Sequence, residues 1–144
     1  MTHTTTEKDN MASVRKFFEV GPSKGDIEAA DALLAADFSL HVPLPVAGPG
    51  ISAINNVVTS CRAAFHSLNV TIEDMTADGD MVTCRFTARG EHKGEFMGLL
   101  PTGKPIVMTG IEIFRLENGK IAELWGEANL MGLMQQLGIL PGST

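Results

Sequence analysis

The chain has 144 residues, 44% hydrophobic and 19% charged, which suits one soluble domain around one core and excludes a chain disordered as a whole. A formal net charge of −6 argues against nucleic acid and against anionic lipid, since both call for a Lys/Arg surplus. No apolar run approaches the ~20 residues of a membrane span.

The opening residues 1–6 are polar and are expected to be disordered, with a single domain over 7–144. The start MTHTTTEKDN lacks the apolar core of a secretory signal, so the expected location is cytoplasmic. From Glu7 to Val20, Met11, Val14, Phe17 and Phe18 recur at helical spacing, and Gly21-Pro22 closes the run. Ser23 and Asp26 then mark the start of a second short helix carrying Ile27, Ala30, Leu33 and Leu34. Phe38 to Val42 reads as a brief extended piece, and Pro43, Pro45, Gly48, Pro49 and Gly50 make a loop. Ile51 to Phe65 gives a third helix, with Ile54, Val57, Val58, Cys61 and Phe65 along one side.

The period then switches to two. Leu68, Val70 and Ile72 alternate with polar residues, Ala77 to Asp80 forms a turn, and Val82, Cys84, Phe86 and Ala88 alternate again. A Gly-rich loop covers Lys93 to Gly103. Ile106 to Leu116 is a long strand, Asn118-Gly119 a hairpin turn, and Ile121 to Ala128 the returning strand. Leu130, Leu133, Met134 and Leu137 form a closing amphipathic helix that stops at Gly138. Helices first and strands later imply an α+β fold with helices on one face of a curved antiparallel sheet. The strand from Ile106 to Leu116 is apolar on both faces, which a one-sided sheet does not require, so a homodimer through the sheet is expected.

Glu112 is the one charged group on an otherwise apolar strand phase. Such a carboxylate must be paired, hydrogen-bonded or protonated, and a raised pKa would fit it for proton transfer. The plainer readings are an ion pair with Arg85, Arg89 or Arg115, or a position in solvent. His92 shares the phase of Val82, Cys84, Phe86 and Ala88 and so points to the same side, near the mouth of any cavity, as a second catalytic candidate or as a hydrogen-bonded structural residue. Glu95 is either a solvated charge or its partner. For ligand binding the candidates are Phe18, His41, Met97, Met108, Gly110, Trp125, Gly126 and Asn129. Trp125 offers a flat apolar surface with one N–H that suits ring-shaped ligands, against the plainer reading of a core or interface residue. Gly126 leaves open space or marks a bulge. Asn129 is a natural helix N-cap or a ligand contact. His41 would line the cavity or bond a loop carbonyl, and the methionines give an adaptable wall. The Cys61 and Cys84 spacing and the scattered histidines form no metal motif, and no dinucleotide or phosphate loop occurs, so neither metal nor cofactor is expected.

The stretch His92-Lys93-Gly94-Glu95-Phe96-Met97-Gly98, followed by Pro101-Thr102-Gly103-Lys104, resembles the H-x-G-x-x-x-G…P-T-G signature of SnoaL-like ester and polyketide cyclases. Arg115-Leu116 with Asn118 to Trp125 resembles their final hairpin, and Gly132 with Gln135-Gln136-Leu137-Gly138 their closing helix. The resemblance implies an NTF2-like conical barrel, a curved antiparallel sheet with helices on its concave face enclosing a pocket. It also implies cofactor-free ring closure on a hydrophobic, polyketide-like small molecule. The aspartate that serves the aldol cyclases on their last strand falls at Gly126, the one that often starts the last helix at Asn129, and a histidine of some cyclases at Glu112. Two ring-closing mechanisms therefore compete: Glu112, with His92, as a replacement acid/base pair, or an apolar cavity that folds a flexible polyene for cycloaddition. A non-catalytic carrier, and an epoxide hydrolase or isomerase on a terpenoid or steroid-like compound, are the alternatives.

Overall fold

A computed structural model describes residues 2–44 and 48–140. Pro45 of the expected loop and the last four residues of the expected domain lie outside the described residues. The first helix, α1 (Thr5–Phe18), begins earlier than its apolar pattern suggests. Thr4, in the stretch expected to be disordered, is its N-cap: the Thr4 hydroxyl accepts from the Glu7 N–H while the Glu7 carboxylate accepts from the Thr4 N–H. Gly21-Pro22 does not end the helical path at once, because Glu19–Ser23 continues it as a π-helical turn. That wide turn leaves carbonyls free, and Arg62 donates to those of Pro22 and Ser23 at 2.9 and 2.8 Å.

The second helix, α2 (Ile27–Asp31), is capped by Asp26 and is shorter than expected. Leu34 already belongs to β1 (Leu34–His41), which starts four residues before Phe38. The third helix, α3 (Gly50–Ala64), ends at Ala64, and Phe65 opens β2 (Phe65–Asp78). The remaining elements are β3 (Met81–His92), β4 (Pro105–Glu117), β5 (Lys120–Ala128) and α4 (Leu130–Gln136). The β4–β5 turn at Asn118 and Gly119 has φ of 51° and 79°, the left-handed pair that an Asn-Gly hairpin supplies without strain.

The sheet order is β1-β5-β4-β3-β2. Four strands are antiparallel, as the alternation implied, while β1 joins the edge parallel to β5. The helices pack on one face, where Val14, Phe17 and Phe18 of α1 meet Phe86, Phe114 and Leu124 of the sheet. Phe114 is fully buried, with its ring edge-on to Phe17 and Phe18 at centroid distances of 6.2 and 5.7 Å. A second, smaller cluster joins Phe65, Phe96, Ile106, Leu133 and Leu137 at the α4 end. Between the two clusters the packing leaves a hollow. Among the described residues, no helix is long and apolar enough to cross a membrane.

Candidate functional site

The inner hollow lies between the concave sheet face and the helices and has a volume of about 140 Å³. Phe18 of α1, Ile54, Val57 and Cys61 of α3, and Phe86 and Ala88 of β3 supply much of its wall. Met108 and Glu112 of β4 and Gly126 of β5 complete the sheet side, with Val42, Phe96 and Leu133 towards its edges. Among the described residues, and apart from the Cys61 thiol, the Glu112 carboxyl is the one ionisable side chain that belongs to this inward phase. Glu127 also borders the hollow but is exposed, on the opposite phase of β5 from Gly126.

Glu112 pairs across the sheet with Cys84 on one side and Gly126 on the other. A Cβ at Gly126 would lie 2.9 Å from Glu112 Oε2 and 3.1 Å from Val42 Cγ1. The missing side chain of Gly126 is therefore the space that the carboxyl occupies. Glu112 is half-buried, and its remaining accessible surface opens into the hollow. Its carboxyl makes no hydrogen bond or ion pair among the described residues, and burial alone lifts it from the ordinary 4.5 to about 8. At neutral pH this group is mostly a neutral acid: a hydrogen-bond donor in an apolar wall. Of the three arginines that might have paired with it, Arg89 is exposed on β3 and the other two are engaged elsewhere. Arg85 holds Asp74 at 2.6 Å, and Arg115 holds Glu117 and Glu123 at 3.2 Å each. Cys84 sits beside Glu112 outside the wall, and its thiol is pushed up to about 12 by burial first and the neighbouring carboxylate second. Cys61, in the wall, is raised to about 11 by burial. Neither is a thiolate at neutral pH.

His92 has the inward phase expected of it but does not reach the hollow. It is fully buried, with its ring 5.7 Å from that of Phe65. The Thr102 N–H donates to Nδ1 at 3.2 Å and the Thr102 hydroxyl lies 3.0 Å from the same nitrogen, which leaves Nε2 buried without a partner. Its backbone bonds Lys104 and Gly103, so His92 ties both ends of the loop 93–104 together. It stands eight positions along β3 from Cys84, a path of about 26 Å along the strand at ~3.3 Å per residue. His92 and Glu112 are therefore no acid/base pair, and the partner of His92 is Thr102, not Glu95.

Of the expected ligand contacts, Phe18, Met108 and Gly126 face the inner hollow. Gly110 does not. The ring of Phe86 covers it, and a Cβ there would lie 2.5 Å from Phe86 Cζ. Trp125 and His41 are on the outer sheet face, stacked at 5.4 Å, with His41 Nε2 2.7 Å from Glu123. That contact, together with Arg115, holds the Glu123 carboxyl below its ordinary range. Asn129 is the N-cap of α4, its side chain accepting from the Gly132 N–H at 2.9 Å. Met97 is exposed at the tip of the 93–104 loop and borders a second, outer hollow. Sequence reasoning missed Phe96, Phe86 and Cys61 as wall residues. The signal for Phe96 was available, as the one aromatic residue in a Gly-rich loop.

Among the described residues, no group of His, Cys, Asp and Glu is clustered to hold a metal ion. No curated protein matches the chain significantly. Solved structures do. IdmH from Streptomyces antibioticus, described as a candidate polyketide cyclase, is 31% identical over 90% of this chain and 98% of its own, with a TM-score of 0.79. A candidate SnoaL-like polyketide cyclase from Jannaschia sp. has a TM-score of 0.87 at 22% identity, covering 98% and 99% of the two chains. AclR from Streptomyces galilaeus, described as a candidate hydroxylase, has a TM-score of 0.84 at 24% identity over 94% and 89%. The last two likenesses establish the fold, which is NTF2-like. The family model of SnoaL-like polyketide cyclases matches residues 12–137, and the chain belongs to that family.

Proposed function

We propose that this protein closes a ring in a flexible, largely apolar, polyketide-like molecule by holding it folded in the inner hollow, with neutral Glu112 donating a hydrogen bond to a substrate carbonyl. The observation that carries this reading is one unpartnered carboxyl, raised to about 8, in an otherwise apolar wall. Fixing two reacting ends together can contribute about 7–11 kcal/mol in favourable cases. A cycloaddition converts two π bonds into two σ bonds, moves no proton and leaves the mass unchanged, so it needs no second acid or base. A donor aimed at the carbonyl adds activation in a site that excludes water. Proton-transfer closure by Glu112 is the second reading, supported by the same raised carboxyl. It asks that group to protonate an oxygen and to accept a proton from carbon without help, since His92 is far away. Hydrolysis asks for a second convergent carboxylate, and the inner wall offers one inward carboxyl.

The test follows a linear polyene ketone by mass spectrometry for an isomeric, cyclised product. Glu112→Gln keeps a donor and is expected to hold turnover within about 10-fold, while Glu112→Leu loses about 100-fold. A fall of 100-fold or more in Glu112→Gln, with binding intact, would replace shaping by proton transfer. Tight binding with the ligand unchanged after long incubation would make the protein a carrier.

The reading includes a homodimer through the outer sheet face. Val107 and Ile111 of β4 are 44% and 52% exposed there, beside half-buried Ile113 and Trp125, which is an apolar surface that a second copy would cover. Light scattering is expected to give a dimer for the native chain and a monomer for Ile111→Arg.

A further inference from the structure

At about 140 Å³ the inner hollow is close to the size that holds one benzene ring, below the ~300–1,000 Å³ usual for small-molecule sites. A second hollow, of about 260 Å³, adjoins it. The two share Leu44, Val57, Cys61 and Phe96, so the partition between them is one residue thick. Joined, they reach the ordinary range. Their chemistry differs. The inner wall is apolar with one carboxyl, whereas the outer wall carries the Ser60 hydroxyl and the Glu95 carboxylate beside Met97.

The partition stands on a built loop. Phe96 and Leu99 bond each other's backbones across a two-residue turn, with Met97 and Gly98 at φ of 49° and 82°. The base of that loop is fixed at Gly94, whose N–H donates to the Ala64 carbonyl at 3.0 Å. A Cβ at Gly94 would lie 2.0 Å from the Ala63 oxygen, so no other residue fits that approach. The turn thus holds Phe96 between two spaces from a firm anchor.

We propose that the outer hollow is a second subsite of one binding channel, and that the channel takes an elongated amphipathic substrate: an apolar, carbonyl-bearing unit in the inner hollow and a hydroxylated end at Ser60 and Glu95. This rests on the inner hollow being a ligand site, as argued above. Ser60 offers a donor and an acceptor, and Glu95 two acceptor oxygens, so an alcohol finds hydrogen-bond partners there, whereas a bare alkyl end gains only from apolar contact along the channel. A third hollow, bordered by Arg15, Glu19 and Lys24, shares only Phe18 and Val70 with the inner one and is the competing way out.

The test measures calorimetric binding of three probes to the whole protein: acetophenone, 4-hexylacetophenone and 4-(6-hydroxyhexyl)acetophenone. Acetophenone is expected to bind weakly, and both long probes at least 10-fold tighter. In Ser60→Ala/Glu95→Gln the hydroxylated probe is expected to lose about 10-fold, while acetophenone and the hexyl probe bind as before, which also shows that the variant is folded. Arg15→Ala/Lys24→Ala is expected to change none of the three. Equal loss for the hexyl and hydroxyhexyl probes, no loss for either, or loss of the hydroxyl preference in Arg15→Ala/Lys24→Ala would overturn the outer subsite. Failure of acetophenone itself to bind would overturn the inner site, and the proposed function with it. Binding of acetophenone with no gain from either chain would overturn the subsite alone.

Discussion

Glu112 and His92 lie on the same inner face of neighbouring strands, and both are polar groups inside an apolar sheet. Their surroundings are opposite. Glu112 faces empty space, with Gly126 cut away beneath it and no partner. His92 is sealed by Phe65 and bonded through ring and backbone to Thr102, Gly103 and Lys104. The comparison teaches that strand phase places a polar group on the inner face, but only adjoining free volume makes it available to a ligand. One end of the sheet keeps a half-buried, unpartnered acid at a cost to stability. The other uses a buried imidazole to hold a loop.

The largest expected effect tests the strained end through pH. A carboxyl at 4.5 unfolded and about 8 folded binds more protons in the native state between those values. Stability therefore falls as pH rises from about 4.5 to about 8, by at most about 5 kcal/mol, and is fully present below that window. Urea unfolding across this range should show the fall in the native protein and its loss in Glu112→Gln. A native slope no steeper than the variant's would remove the contrast between the two ends. Next in size is Gly94→Ala at the loop end. Its Cβ meets backbone, which cannot give, so a loss of about 3 kcal/mol or more and a Tm lower by roughly 10 °C are expected by calorimetry.

His92→Ala should cost about 2 kcal/mol by leaving the Thr102 N–H unpaired and a void beside Phe65. Turnover of the folded fraction should stay within a few-fold, and a 100-fold loss at full folding would return His92 to the chemistry. The smallest effect is expected from Gly126→Ala. The contact there is with the movable end of Glu112, so stability should change by about 1 kcal/mol, while the carboxyl is displaced and carbonyl-probe binding weakens.

Much of this was legible in the sequence, and the failures share a cause. The period-two runs, the Asn118-Gly119 turn and the inward phase of Glu112 are local patterns, and each appears in the fold. Leu33 and Leu34 continue a helical spacing, yet Leu34 enters a strand because β1 can pair with Ile121 of β5, far away in sequence. Phe65 likewise continues the apolar side of α3 and instead starts β2, opposite His92. Gly110 and Gly126 are both expected ligand contacts from the sequence. Phe86 from the adjacent strand fills the space at the first and leaves that at the second to Glu112, a distinction made by neighbours and not by the glycines. Trp125 alternates with Gly126 along β5, so the two could not both face one cavity. The structure gives the inside to Gly126.

The most direct measurement is the titration of the Glu112 carboxyl by carbon-13 NMR, with glutamate labelled at the side-chain carbon and the signal assigned by its disappearance in Glu112→Gln. A midpoint near 8, moving further up when acetophenone fills the hollow, is the expected result. A midpoint below 5, unmoved by the probe, would mean a solvated carboxylate and contradict the account.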